Sequence, residues 1–205
     1  MDIIKVLQEE LQIGYKQAEA AVSLIDEGNT IPFIARYRKE ATGSLNDEVL
    51  RNLDERLKYL RNLEEKKEQV ISSIREQEKL TPELEKQILE AMTMVAVEDL
   101  YRPYRPKRRT RAMIAKEKGL EPLADLIWLQ QIKEPVEGLA RAYVSEEKQV
   151  ASEAEAVAGA RDILAERISD QADYRSYIRK ITMDRGMIAS SAKDGEIQSV
   201  YEMYY

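Results

Sequence analysis

Apolar residues recur every three or four positions along most of this 205-residue chain, the spacing of a single buried helix face. Ile3, Val6, Leu7 and Leu11 predict a first helix over 2–11. Ala18, Ala21, Val22 and Ile25 predict a second over about 15–27, which Gly28-Asn29 closes with a left-handed cap. Thr30-Ile31-Pro32 restarts the chain at once, with Ile31, Ile34 and Tyr37 on one face of a third helix ending at Thr42-Gly43. The second and third helices share the outline of a helix-turn-helix, an outline that any αα-hairpin also has. Asn46 caps a fourth helix, with Asp47 and Glu48 in its first turn where the helix dipole favours acids. There Leu50, Leu53, Leu57 and Leu60 follow a heptad, Glu64 and Lys67 interrupt it, and Ile71 and Ile74 resume it. With no Gly or Pro from 46 to 81, this helix is expected to reach about 30 residues, or roughly 45 Å. It is read as a strut or a coiled-coil partner.

Thr81-Pro82-Glu83 starts a helix that carries Leu84, Ile88, Ala91, Met92 and Val95 and fades at "VEDLY". "YRPYRPKRRTR" follows, and Pro103 and Pro106 favour an extended path there. Thr110 caps a short helix ending near Gly119, Pro122 opens another through Trp128, and Pro135 restarts the chain towards Tyr143. "SEAE" from Ser152 to Glu155 is a capping box for a helix with Val157, Ala160, Leu164 and Ile168 on one side. Asp170 with Asp173 repeats the cap, and Tyr174, Tyr177, Ile178 and Ile181 continue until Gly186. Residues 187–205 alternate weakly and are the one candidate for short strand content. The fold class is all-α and multi-helical, with one long central helix, a small helix-turn-helix-like N-terminal unit and a short strand near the C-terminus as its one exception. The expected divisions are 1–45 as an N-terminal helical unit, 46–186 as a helical scaffold, and 187–205 as a lead-in to a following domain.

Composition narrows the chemistry. There is no Cys and no His, which removes disulfides, thiolate chemistry, ordinary zinc sites and any Ser-His triad. Carboxylate pairs such as Glu9-Glu10, Glu64-Glu65, Glu146-Glu147 and Asp170-Asp173 fall on exposed helices or caps, and no Gly-rich phosphate loop is present. The chain is therefore read as non-enzymatic, with no cofactor and no metal. The N-terminus lacks the features of a secretory signal and no run reaches the length of a membrane span, so a cytoplasmic protein is expected.

Charge supplies the sharpest local signal. Between residues 100 and 118 eight Lys/Arg stand against one acid, making that window +7; with the whole chain at −6, the rest is −13. Six of the ten residues from 102 to 111 are cationic: Arg102, Arg105, Lys107, Arg108, Arg109 and Arg111. Guanidinium forks suit phosphates, and the adjoining Tyr101 and Tyr104 are of a type that stacks on unpaired bases. The same arginines are equally suited to pairing with acidic helices of their own chain. Arg36, Arg38 and Lys39 around Tyr37 form a second, weaker cluster, whose plainer reading is a solvated helix face. The terminal Tyr201, Tyr204 and Tyr205 read as a joint to a further domain.

Three stretches, "TIPFIARYRKEATGSL", "VEDLYRPYRPKRRTRAMIAKEKGLEPLA" and "EAVAGARDILAERI", resemble in order the N-terminal region of Tex-type bacterial transcription accessory proteins. "EIQSVYEMYY" resembles the segment leading into that family's next domain. The family is similar to a eukaryotic transcription elongation factor. The resemblance implies a helical N-terminal region ahead of an RNase H-like domain, helix-hairpin-helix elements and an S1 domain, a major nucleic-acid-binding element. On that footing the chain is expected to be a non-catalytic scaffold and nucleic-acid-binding portion of a transcription factor. Its expected partners are RNA or DNA, bound largely without sequence preference, and RNA polymerase or associated machinery, with no membrane. The alternative is a protein–protein scaffold docking the transcription machinery or the protein's own later domains.

Overall fold

The computed structural model describes residues 1–106, 108–131, 133–193 and 200–204. The chain is all-α. Among the described residues there are eleven α-helices and no strand, and the one β pairing is an isolated bridge between Ser145 and Val150. Of the C-terminal stretch expected to hold strand content, 194–199 and Tyr205 lie outside the described residues, while Glu202–Tyr204 form a 3₁₀ turn. The fold divides into two compact units, Met1–Arg105 and Pro106–Tyr205.

The first unit contains α1 (Ile3–Leu11), α2 (Tyr15–Asp26), α3 (Ile31–Tyr37), α4 (Asp47–Glu76), α5 (Pro82–Glu90) and α6 (Met94–Tyr101). The expected long helix is α4, 30 residues long and capped by Asn46, whose Oδ1 accepts from Val49 N at 2.8 Å. Its heptad buries two successive cores. Leu50, Leu53, Leu57 and Leu60 pack with Leu7, Ala18, Ala21 and Ile34, whereas Leu63, Val70, Ile71 and Ile74 pack with Ile88 and Val97. The helices of 1–45 therefore have no core apart from α4. Arg56 holds Glu10 of α1 through two hydrogen bonds of 2.5 and 2.6 Å, and Arg61 holds Asp26 of α2 through two of 2.7 Å.

Glu64 and Lys67, which interrupt the apolar heptad, still occupy its seam. Lys67 is buried, with its Nζ 2.8 Å from Glu64 Oε1 and donating to the Leu89 carbonyl at 2.8 Å. That carbonyl lies in the last turn of α5, where helix oxygens lack intrahelical partners and the dipole favours a cation. The helix expected to run unbroken from Thr81 is instead two. Ala91 leaves the helix in an extended conformation, and the Thr93 hydroxyl caps α6 by accepting from Ala96 N at 3.2 Å.

The second unit contains α7 (Arg111–Glu117), α8 (Glu121–Leu129), α9 (Val136–Ala140), α10 (Glu153–Ser169) and α11 (Ala172–Arg185). Its core is built largely from small residues, Ala112 and Ala115 of α7 meeting Ala156 and Ala160 of α10, with Leu120, Leu123 and Ile163 around them. Gly159 lets these helices approach closely, since a Cβ there would run into Leu120 Cδ1 and the Ala115 methyl. Ser152 caps α10 as its spacing implies, accepting from Glu155 N at 3.2 Å. Asp170 does not cap α11: it ends α10, and Gln171 precedes α11 without a side-chain cap. None of α11 is buried, and Tyr177 and Ile178 are 65% and 62% exposed.

Candidate nucleic-acid interface

The basic segment begins as a turn rather than an extended strand. Arg102 N donates to the Glu98 carbonyl, and Tyr104 and Arg105 N both donate to the Tyr101 carbonyl at 2.9 and 3.0 Å. Pro103 does not prevent this because a proline is tolerated where its missing N–H would go unused. The turn carries Tyr101 and Tyr104 against the α4–α6 core, where both are partly buried. The Tyr101 hydroxyl lies 3.0 Å from Ser73 Oγ, and Gln77 Nε2 donates to the Tyr104 carbonyl at 3.1 Å.

The cations separate by environment. Arg102 and Arg105 close the first unit, and Arg108, Arg109 and Arg111 open the second; Lys107 lies outside the described residues. Arg109 pairs with Glu117 at 2.6 Å, and Arg111 stands 3.6 Å from Asp162. Arg105 and Arg108 are exposed and make no side-chain ion pair among the described residues. Thr110 fixes the start of α7 from both sides, its hydroxyl donating to Glu166 at 2.8 Å and accepting from Met113 N at 3.1 Å.

The second cluster is built on α3 and the loop that follows. Ile34 is fully buried, but Tyr37 does not share its burial; it is 65% exposed. Its partner is Phe33, four residues earlier and so on the same helix face. Their ring centroids are 5.3 Å apart with planes tilted by 45°. The Arg38 guanidinium lies over the Phe33 ring, 5.8 Å from its centroid. Arg36 and Lys39 are exposed and without side-chain ion pairs among the described residues.

A loop held by several hydrogen bonds presents this cluster. Thr42 is fully buried, and its hydroxyl lies within hydrogen-bonding distance of the Arg38 and Lys39 carbonyls, at 3.2 and 3.4 Å. Gln17 of α2 donates to the Thr42 and Gly43 carbonyls at 3.2 and 3.0 Å and accepts from Gly14 N at 2.9 Å. Gly43 has φ of +60°, and a Cβ on it would stand 2.6 Å from Gln17 Nε2. A larger residue there would be strained by the left-handed φ and would displace the Gln17 amide. The charge pattern locates Arg36, Arg38 and Lys39; Tyr37, expected on one face with Ile31 and Ile34, instead stands exposed beside Phe33, and their four-residue spacing was the available signal.

Among the described residues no group of three or more acidic side chains converges to hold a metal ion, and no helix is long and apolar enough to cross a membrane.

Comparison with known proteins matches residues 1–75 to the family described as Tex-like protein N-terminal domain and residues 131–205 to the Tex central region-like family. The chain is 46% identical over 202 residues to protein YdcI of Bacillus subtilis, covering 97% of this chain and 28% of that protein. It is 45% identical over 196 residues to the transcriptional accessory protein Tex of Neisseria gonorrhoeae, covering 96% of this chain and 26% of that one. It is 29% identical over 200 residues to the human S1 RNA-binding domain-containing protein 1, covering 93% of this chain and 19% of that one. The chain thus spans about a quarter of the length of its bacterial relatives.

Proposed function

The chain belongs to the Tex-like family, and on that premise we propose that it is a non-catalytic helical scaffold and nucleic-acid-binding portion of a transcription accessory factor. The observation that carries the reading is the pair Arg105 and Arg108, exposed and without a carboxylate partner among the described residues. On a chain of net charge −6, cations left free of neighbouring acids are the groups available to phosphates. Arg102, Lys107, Arg109 and Arg111 belong to the same run. Arg109 and Arg111 exchange exposed ion pairs, which contribute little stability, for phosphate contacts. Arg36, Arg38 and Lys39 supply a further set on α3. Contact made through phosphates is largely independent of sequence and common to RNA and DNA. The names of two relatives, a transcriptional accessory protein and an S1 RNA-binding domain-containing protein, agree with this reading. RNA polymerase or associated machinery is the protein partner such a factor would meet, in the cytoplasm.

The test is an oligonucleotide titration of the chain and of a variant with Arg102, Arg105, Lys107, Arg108, Arg109 and Arg111 all changed to Ala. Affinity is expected to fall at least tenfold in the variant at low salt, and equal affinity would sink the assignment.

A second reading, a protein–protein scaffold, is favoured by α11. Its Tyr174, Tyr177, Ile178 and Ile181 leave an apolar face uncovered. In this reading the face is covered by a later part of the longer family protein or by the transcription machinery. Slower amide exchange along this helix in a full-length family member than in the 205-residue chain supports it, and equal exchange removes it.

A further inference from the structure

We infer that Tyr37 is a stacking platform for an unpaired nucleobase, so that the α3 face takes single-stranded nucleic acid rather than duplex. This rests on the nucleic-acid reading above and gives it a substrate class. A tyrosine left 65% exposed at the end of a helix, with its neighbour Ile34 fully buried, adds nothing to the core. Its orientation is nonetheless set by Phe33, the buttress 5.3 Å away. The Arg38 guanidinium carbon lies 5.8 Å from the centroid of the other ring of the pair, within cation–π reach. A guanidinium carries its N–H donors in a planar fork, the geometry that suits a phosphate. Arg36 and Lys39 flank the pair without ion partners among the described residues, and Glu40 is the single acid between residues 30 and 45.

Ring, buttress and cations stand on a backbone that is already ordered. Ser44 N and the Thr42 hydroxyl hold the Lys39 carbonyl, Thr42 N and hydroxyl hold that of Arg38, and Gln17 ties down the loop beyond. A surface pre-ordered in this way loses little conformational freedom on binding. Every base offers a ring face, so an aromatic platform with adjoining cations binds single strands with little sequence preference. Duplex hides those faces. An acidic polypeptide matches the cations but offers nothing to Tyr37.

The experiment measures binding of the 205-residue chain to fluorescein-labelled dT20, rU20 and a hairpin duplex, with inorganic polyphosphate and polyglutamate as base-free polyanions. Tyr37→Ala is expected to weaken both single strands about fivefold or more and to leave duplex, polyphosphate and polyglutamate within twofold. Tyr37→Phe, which keeps the ring, is expected to bind single strands like the parent, with both variants melting at the parent temperature. A 5-bromouracil-substituted strand is expected to crosslink to the peptide containing Tyr37. Single-strand affinity unchanged in Tyr37→Ala overturns the platform, even where Arg36→Ala with Lys39→Ala weakens every nucleic acid and so upholds the function proposed above. Equal weakening of polyphosphate or polyglutamate by Tyr37→Ala overturns it too, the latter in favour of a protein surface. Absence of binding to any nucleic acid overturns both.

Discussion

At the scale of single residues, Lys67 is the clearest case of a sequence interruption that the fold uses. Its aliphatic stem fills the seam of α4 while its ammonium serves Glu64 and the end of α5. Burial pushes the Glu64 carboxyl up, but Lys67 and the Met1 amino group together hold it below its ordinary value. Breaking a buried pair leaves the partner charge uncompensated and is far more costly than losing an exposed one. Lys67→Ala is expected to destabilise the first unit by about 3 kcal/mol, read as a lower denaturant midpoint; a change below about 0.5 kcal/mol, as at a surface site, contradicts the assignment. The heptad made the position of Lys67 legible. Its contact was not, because the Leu89 carbonyl is twenty-two residues away and no pattern in the chain links the two.

At the scale of elements, helices are joined by two different means. In the second unit α10 and α7 meet through small side chains, and the close approach at Gly159 is central to it. Gly159→Leu is expected to overpack this contact and cost about 3 kcal/mol or more, again seen as a lowered unfolding midpoint. An unchanged midpoint would mean that the helices separate freely. In the first unit α1 and α2 are clipped to α4 by Glu10–Arg56 and Asp26–Arg61. Hydrogen bonds from the guanidinium hold each carboxyl below its usual range. Such groups bind fewer protons folded than unfolded, so their stabilisation is present above the unfolded pKa and drains as the pH falls through the folded one. The melting temperature is therefore expected to hold near neutrality and decline below about pH 4.3. Glu10→Gln with Asp26→Asn should lower it at pH 7 and flatten that acid limb; a parallel decline in both proteins counts against the clips. Most helices and several caps were legible because period and cap residues are local properties. The break at Ala91–Thr93 was not, since Met92 and Val95 continue an apolar spacing that the extended backbone abandons.

At the scale of the whole molecule, charge placement was legible and charge pairing was not. The density of Lys and Arg from 102 to 111 is visible in any reading of the chain. Which of them are engaged depends on contacts such as Arg111 with Asp162, made by a helix fifty residues on. Tyr101 and Tyr104, of a type that stacks on unpaired bases, are partly buried against the α4–α6 core. Tyr37 is an exposed ring beside cations, and Arg105 and Arg108 are exposed without a side-chain ion pair among the described residues. The account's central claim concerns these positions and not the net charge. It is tested most directly by the salt dependence of single-strand binding in two variants of equal charge: Arg105→Ala with Arg108→Ala, and Arg51→Ala with Arg75→Ala, whose arginines pair with Asp47 and Glu85. The first should reduce the slope of log affinity against log salt by about 1.4 and the second should leave it unchanged. Equal reduction in both, or none in the first, would contradict the account.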